Sequence, residues 1–227
     1  MAHTALITGA SRGLGRALAH QLAAQGWHVV LVARHADALQ TVVDEIRAAG
    51  GSALAFAADL AQPDAAARVH GFAEAVAGPV DLLVNNASAL GPVPLRPLLD
   101  LRADELDAVL QTNVVGPFRL SAAVAGAMAL RGQGTLVFIS SDAAVEAYPT
   151  WGAYGLSKAA ADHMARTLAA ELPMLRVLSV DPGEMDTVMH ADAVPDADRG
   201  ALRAPEESAT RILNLLHTAT SGQRLQA

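Results

Sequence analysis

At 227 residues, with 52% hydrophobic residues, few aromatics and no cysteine, the chain suits one large domain with a core of Ala, Val and Leu; disulfides and thiolate metal sites are excluded. A net charge of −7 without a basic tract argues against nucleic acid as a partner. Met1-Ala2-His3 passes straight into an apolar run with no charged leader, and no apolar span approaches the about 20 residues a bilayer needs, so a soluble, cytoplasmic protein without membrane contact is expected.

Thr4-Ala5-Leu6-Ile7-Thr8 reads as a short strand that runs into Gly9-Ala10-Ser11-Arg12-Gly13-Leu14-Gly15. Leu14, Leu18 and Leu22 recur at helical spacing, Gly26 stops that helix, and Val29-Val30-Leu31-Val32 forms the next strand. Glycines between a strand and a helix permit a tight turn in which helix-start amides face a pyrophosphate. The alternation continues with a helix over Ala36–Ala49, a strand over Ala53–Ala57, a helix over Pro63–Val76 and a strand over Val80–Val84. One long helix over Ala103–Leu130, carrying Asn113, precedes a strand over Thr135–Ile139. After the helix of Tyr154 and Lys158 come a strand over Arg176–Val180, an irregular acidic segment, a helix over Pro205–His217 and a short last strand over Gln223–Gln226. Strands alternating with helices predict a doubly wound parallel sheet of six to seven strands with helices on both faces, a Rossmann-type α/β fold in one domain.

The stretch Gly152-Ala153-Tyr154-Gly155-Leu156-Ser157-Lys158 places a phenol and an ammonium one helical turn apart, on one face. An ordinary tyrosine titrates near pH ~10, and a nearby cation favours its phenolate. Tyr154 is therefore a candidate acid/base. Of the 16 basic residues, Lys158 is the one lysine; a compact ammonium does what a planar guanidinium does not.

These motifs fall in one order, and together they resemble the short-chain dehydrogenase/reductase family across nearly the whole chain. Thr8-Gly9-x-x-x-Gly13-x-Gly15 resembles its cofactor turn, Asp59-Leu60 the pair beside the adenine, and Asn85-Asn86-Ala87-Ser88 its Asn-Asn-Ala-Gly motif with Ser88 in place of glycine. Asn113 matches the helix asparagine of a proton relay, and Ser141 falls where the family places its catalytic serine. Asp181-Pro182-Gly183-x-x-x-Thr187 resembles the segment that holds the nicotinamide carboxamide, with Asp181 where asparagine is common.

The resemblance implies hydride transfer between a nicotinamide and a carbonyl or alcohol carbon. Asn113, Ser141, Tyr154 and Lys158 are then the catalytic set: Ser141 orients the substrate oxygen, Tyr154 moves the proton, and Lys158 lowers the phenol's pKa and holds the ribose. The cofactor set is Gly9, Ser11, Arg12, Gly13, Leu14, Gly15, Arg34, Asp59, Leu60, Asn86, Ala87, Tyr154, Lys158, Pro182, Gly183 and Thr187, with no metal. At the end of the second strand stand Ala33 and Arg34, with no acid to repel a 2′-phosphate, so NADP(H) is expected over NAD(H), the phosphate lying between Arg12 and Arg34. A compact segment at about 184–204 is the expected substrate lid. Asp142, Glu146, Glu184 and Asp186 are expected near the site's mouth, which favours neutral or cationic substrates. Self-association as a homodimer or homotetramer is implied through the helices of Asn113 and Tyr154, with Ala159, Ala160 and Ala161 allowing close approach. The competing reading is a dinucleotide-sensing protein without turnover.

Overall fold

Residues along each strand alternate between the two faces of the sheet, and this chain supplies apolar residues to both. In the computed structural model, which describes residues 3–227, seven parallel strands lie in the order β3-β2-β1-β4-β5-β6-β7. They are β1 (Thr4–Thr8), β2 (His28–Ala33), β3 (Ser52–Ala57), β4 (Val80–Asn85), β5 (Thr135–Ile139), β6 (Arg176–Asp181) and β7 (Arg224–Gln226). Ile7, Leu31, Val84, Val137 and Val180 point to one face, where they meet α1 (Gly13–Ala24), α2 (Ala36–Ala48) and α8 (Pro205–Thr218). Leu6, Val30, Leu83, Phe138 and Val177 point to the other, against α3 (Ala65–Ala77), α5 (Gly116–Arg131) and α6 (Gly152–Glu171). The strand order reverses between β1 and β4, which opens a crevice at their carboxyl ends.

The expected single helix over Ala103–Leu130 is in fact three pieces. α4 (Ala103–Leu110) runs through a wide π-helical turn, Gln111–Val115, into α5. Pro117 has no N–H to give the carbonyl of Asn113 four residues back, so the regular ladder is interrupted there. The run Ala103–Arg131 is long and apolar enough by composition to cross a membrane, against the expectation. Its Leu120, Val124, Ala125 and Met128 are nevertheless buried against the sheet.

Other boundaries move less. The helix expected from Pro63 starts at Ala65 after the cap residue Asp64, and β7 begins at Arg224. The segment after Gly183 is more ordered than its acidic composition implies. It contains α7 (Val188–Ala193), whose first turn is capped by Thr187 Oγ1 accepting the His190 amide at 3.2 Å. Its ends are pinned by a parallel bridge between Met185 and Arg203 and by Arg199 donating to Asp186 Oδ1 at 2.7 Å.

Candidate active site

The turn from β1 to α1 is fixed by contacts that leave no room for side chains. A Cβ on Gly9, whose φ is +65°, would stand 2.8 Å from Asn86 Nδ2, and one on Gly15 would stand 2.4 Å from the Gly9 carbonyl oxygen. Asn86 locks the turn from across the sheet by donating to the Thr8 carbonyl at 2.9 Å and to that of Gly9 at 3.2 Å. Thr8 Oγ1 accepts the amides of Asn86 and Ala87 at 2.9 and 3.0 Å. The start of α1 has no side-chain cap and no acid in its first turn, so its amides are open to an anion. Arg12 and Arg34 are both exposed, and neither makes a salt bridge among the described residues. A dinucleotide phosphate fits this arrangement: a close backbone approach and free amides.

Around the crevice, Asp59 Oδ1 accepts the Ala61 amide at 3.0 Å, and Leu60 is buried against Gly116. Thr187 comes within reach of the glycine turn, since a Cβ on Gly13 would lie 3.4 Å from its Cγ2. The two motifs, far apart in sequence, thus meet at one place.

α6 presents Tyr154 and Lys158 inward, 8% and 5% exposed. Lys158 Nζ donates to the Ile139 carbonyl at the end of β5 at 2.7 Å and lies 5.4 Å from the centre of the Tyr154 ring. Asn113 sits in the π turn. Its side chain donates to the Ala89 carbonyl at 2.8 Å and to Ser157 Oγ at 2.9 Å, and accepts the Ala89 amide at 2.7 Å. Ser157 in turn donates to the Tyr154 carbonyl at 2.7 Å. Asn113 therefore ties the loop after β4 to the first turns of α6. Ser141 donates to Asp142 Oδ1 at 2.9 Å, and Asp142 Oδ2 accepts the Tyr148 hydroxyl at 2.8 Å.

Two titratable groups depart far from their ordinary behaviour. Burial pushes the Tyr154 phenol up to about 12, opposed by the hydroxyls of Ser141 and Ser88 and reinforced by the charges of Asp142 and Asp181. Burial also pulls the Lys158 ammonium down to about 8, while Asp162 and Asp181 act to raise it. The expected lowering of the phenol by Lys158 is not seen: the ammonium lies over the ring face, its hydrogen bond goes to Ile139, and burial dominates. The phenol is accordingly in its proton-donor form at neutral pH.

Beside Tyr154 opens a cavity of about 530 Å³. Its walls include Leu90, Tyr148, Trp151, Met185, Met189 and Val194, with Trp151 packed edge-on against both tyrosines. Of the four acids expected near the mouth, Asp142 and Glu184 line it. Asp186 is turned to Arg199 instead, and Glu146 is not in the wall.

The short chain dehydrogenase family pattern matches residues 3–198. The chain belongs to this family. A short chain dehydrogenase of Pseudocercospora fijiensis is 38% identical over 225 residues, covering 92% of this chain and 72% of the relative. The structure of a 7 alpha-hydroxysteroid dehydrogenase complexed with NADH and 7-oxo glycochenodeoxycholic acid matches with a TM-score of 0.91 and 33% identity, over 99% of this chain and 92% of that one. An alcohol dehydrogenase from the archaeon Thermococcus sibiricus, complexed with 5-hydroxy-NADP, matches with a TM-score of 0.90 and 27% identity, over 100% of this chain and 96% of that one. The family is one of oxidoreductases, and the chain shares its Rossmann fold.

Within this member of the family, two residues near the site, Asp162 and Arg224, escape a reading of motifs. Asp162 stands one turn beyond Lys158 on the same buried face of α6, a spacing that was visible in the sequence. Arg224 reaches the same place from β7, and Asp181 meets it there. No local pattern connects Arg224 to either acid.

Proposed function

We propose that this dehydrogenase is an NADP(H)-dependent carbonyl reductase or alcohol dehydrogenase, with Asn113, Ser141, Tyr154 and Lys158 as its catalytic set. The observation that carries this reading is a buried phenol and the Ser141 hydroxyl in the wall of one cavity, with the buried Lys158 ammonium behind the phenol at the carboxyl end of β5. A bound nicotinamide supplies or accepts the hydride at the substrate carbon. Tyr154 gives its proton to the carbonyl oxygen during reduction and takes one back during oxidation. At neutral pH the phenol carries the proton that reduction needs. Ser141 turns its hydroxyl from Asp142 to the substrate oxygen, Lys158 holds the ribose hydroxyls, and Asn113 holds Ser157 and Ala89 in place while serving a water-borne proton relay.

Preference for NADP(H) is supported by Arg12 and Arg34 and by Ala33 in the place of an acid. Asp142, Asp181 and Glu184 line the cavity with His190 as the only basic side chain among its walls, which favours neutral or cationic carbonyl compounds over anionic ones. The segment 184–204 is the proposed lid. Pairing with a second copy is supported by Phe118 on α5 and Leu156 on α6, both about half exposed; Ala159 is exposed beside them and Ala160 partly so, whereas Ala161 is buried in its own chain.

The test is NADPH absorbance loss over a panel of aldehydes, ketones and keto acids. Turnover of neutral or cationic substrates is expected, and Arg34→Asp is expected to weaken NADPH binding at least about tenfold more than NADH binding. NADPH binding without turnover on any substrate would favour the sensing protein instead.

A further inference from the structure

Tyr154, Lys158 and Asp162 follow one another at four-residue spacing, so α6 turns a phenol, an ammonium and a carboxylate toward the ends of β5 and β6. Asp162 is 6% exposed and Asp181, at the end of β6, is 4% exposed. Two buried carboxylates this close to each other need a shared cation. Lys158 does not serve as their hydrogen-bond partner, because its ammonium donates to the Ile139 carbonyl instead. Arg224 does. Its Nε donates to Asp162 Oδ2 at 2.9 Å, and its Nη2 lies 3.3 Å from Asp181 Oδ2 and donates to the Ser141 carbonyl at 2.8 Å. Ser179 Oγ completes Asp162 from β6, and the Gly183 amide completes Asp181 at 3.0 Å.

We infer that Arg224 is a positioning residue for the site: it binds the carboxylates of Asp162 and Asp181 to the Ser141 carbonyl, and thereby sets both the charge felt by Lys158 and the place of Ser141. This explains the acid at 181. An asparagine there could still accept the Gly183 amide through its oxygen, but its nitrogen would confront the guanidinium, a donor against a donor. Asp181 and Arg224 are therefore a matched pair, and the pair reaches from the nicotinamide-side turn to β7. The groups facing Lys158 are Tyr154 and Asp162 on its own helix, Asp181 on β6 and, through the two acids, Arg224 on β7. Removing the guanidinium leaves both acids acting on Lys158 uncancelled, so its ammonium is held more strongly. Neutralising Asp181 has the opposite effect, because one acid is lost and Arg224 keeps its full charge.

The inference rests on the proposed roles of Lys158 and Ser141, yet its charge component can be read without turnover. Lys158 is the only lysine in the chain, so protein labelled with ¹³C at lysine Cε gives one side-chain resonance to titrate. Wild type is expected to titrate near 8, Arg224→Gln about one unit higher and Asp181→Asn about one unit lower. In NADPH turnover, Arg224→Gln is expected to lose about tenfold or more in kcat through displacement of Ser141. Arg224→Lys is expected to restore the titration but only part of the rate, since one ammonium cannot span three acceptors. A folded Arg224→Gln protein with an unmoved Lys158 titration overturns the inference; should that variant not fold, an unmoved titration in Asp181→Asn does the same. Loss of turnover already in wild type would refute the proposed function and leave the lysine titration to decide this point separately.

Discussion

The two halves of the crevice are held by different physics. At the β1 and β4 end, neutral hydrogen bonds from Thr8 and Asn86 and the close packing of Gly9 and Gly15 fix the backbone, and no charge is buried. At the β5, β6 and β7 end, Lys158, Asp162 and Asp181 are buried together and Arg224 joins them. The first half suits a phosphate, which wants open amides and room. The second suits proton movement, which wants groups whose charge is set by their neighbours. A change of shape should therefore damage the first half most, and a change of charge or donor geometry the second.

The largest expected effect is steric. Gly15→Val puts a branched side chain where even a Cβ would stand 2.4 Å from the Gly9 carbonyl; NADPH binding, followed by fluorescence, is expected to vanish. At the other end Lys158→Arg keeps the charge and changes the donor. A loss of about a hundredfold in turnover is expected, since misplacing a catalytic group by about 1 Å costs that much. The pH profile sharpens the same point. In wild type the reduction rate is expected to fall as pH rises through about 8, where Lys158 loses its proton, and not through phenol ionisation, which lies near 12. The residual rate of Lys158→Arg should lack that fall, because a guanidinium does not titrate there. The smallest effect is expected for Ser88→Ala. The Ser88 hydroxyl is buried with no protein partner among the described residues and acts to lower the phenol pKa. Its loss should leave stability nearly unchanged, as measured by urea unfolding, and raise the phenol's titration slightly.

The strands and the glycine turn were legible because short continuous apolar runs bounded by turn residues and strand-turn-helix spacing are local signals. Tyr154 and Lys158 were legible for the same reason, being one turn apart. The interruption at Gln111–Val115 was missed although Pro117 announced it; a proline within an apolar helical run breaks the ladder to the residue four before it. The high phenol pKa could not be read at all, because it comes from burial by elements remote in the chain. The ordering of 184–204 was hidden by its composition, since its pins are Asp186 with Arg199 and Met185 with Arg203. Arg224 lies 62 residues from Asp162 and 43 from Asp181, distances over which a single sequence carries no pairing signal.

The most direct test of the central claim is the rate of NADPH oxidation with a turned-over ketone, measured for wild type and Tyr154→Phe alongside NADPH binding. The account predicts that Tyr154→Phe binds NADPH as wild type does but loses about 10²- to 10⁴-fold in turnover, the contribution of one positioned proton donor. A folded Tyr154→Phe protein that reduces the same ketone at the wild-type rate would contradict it.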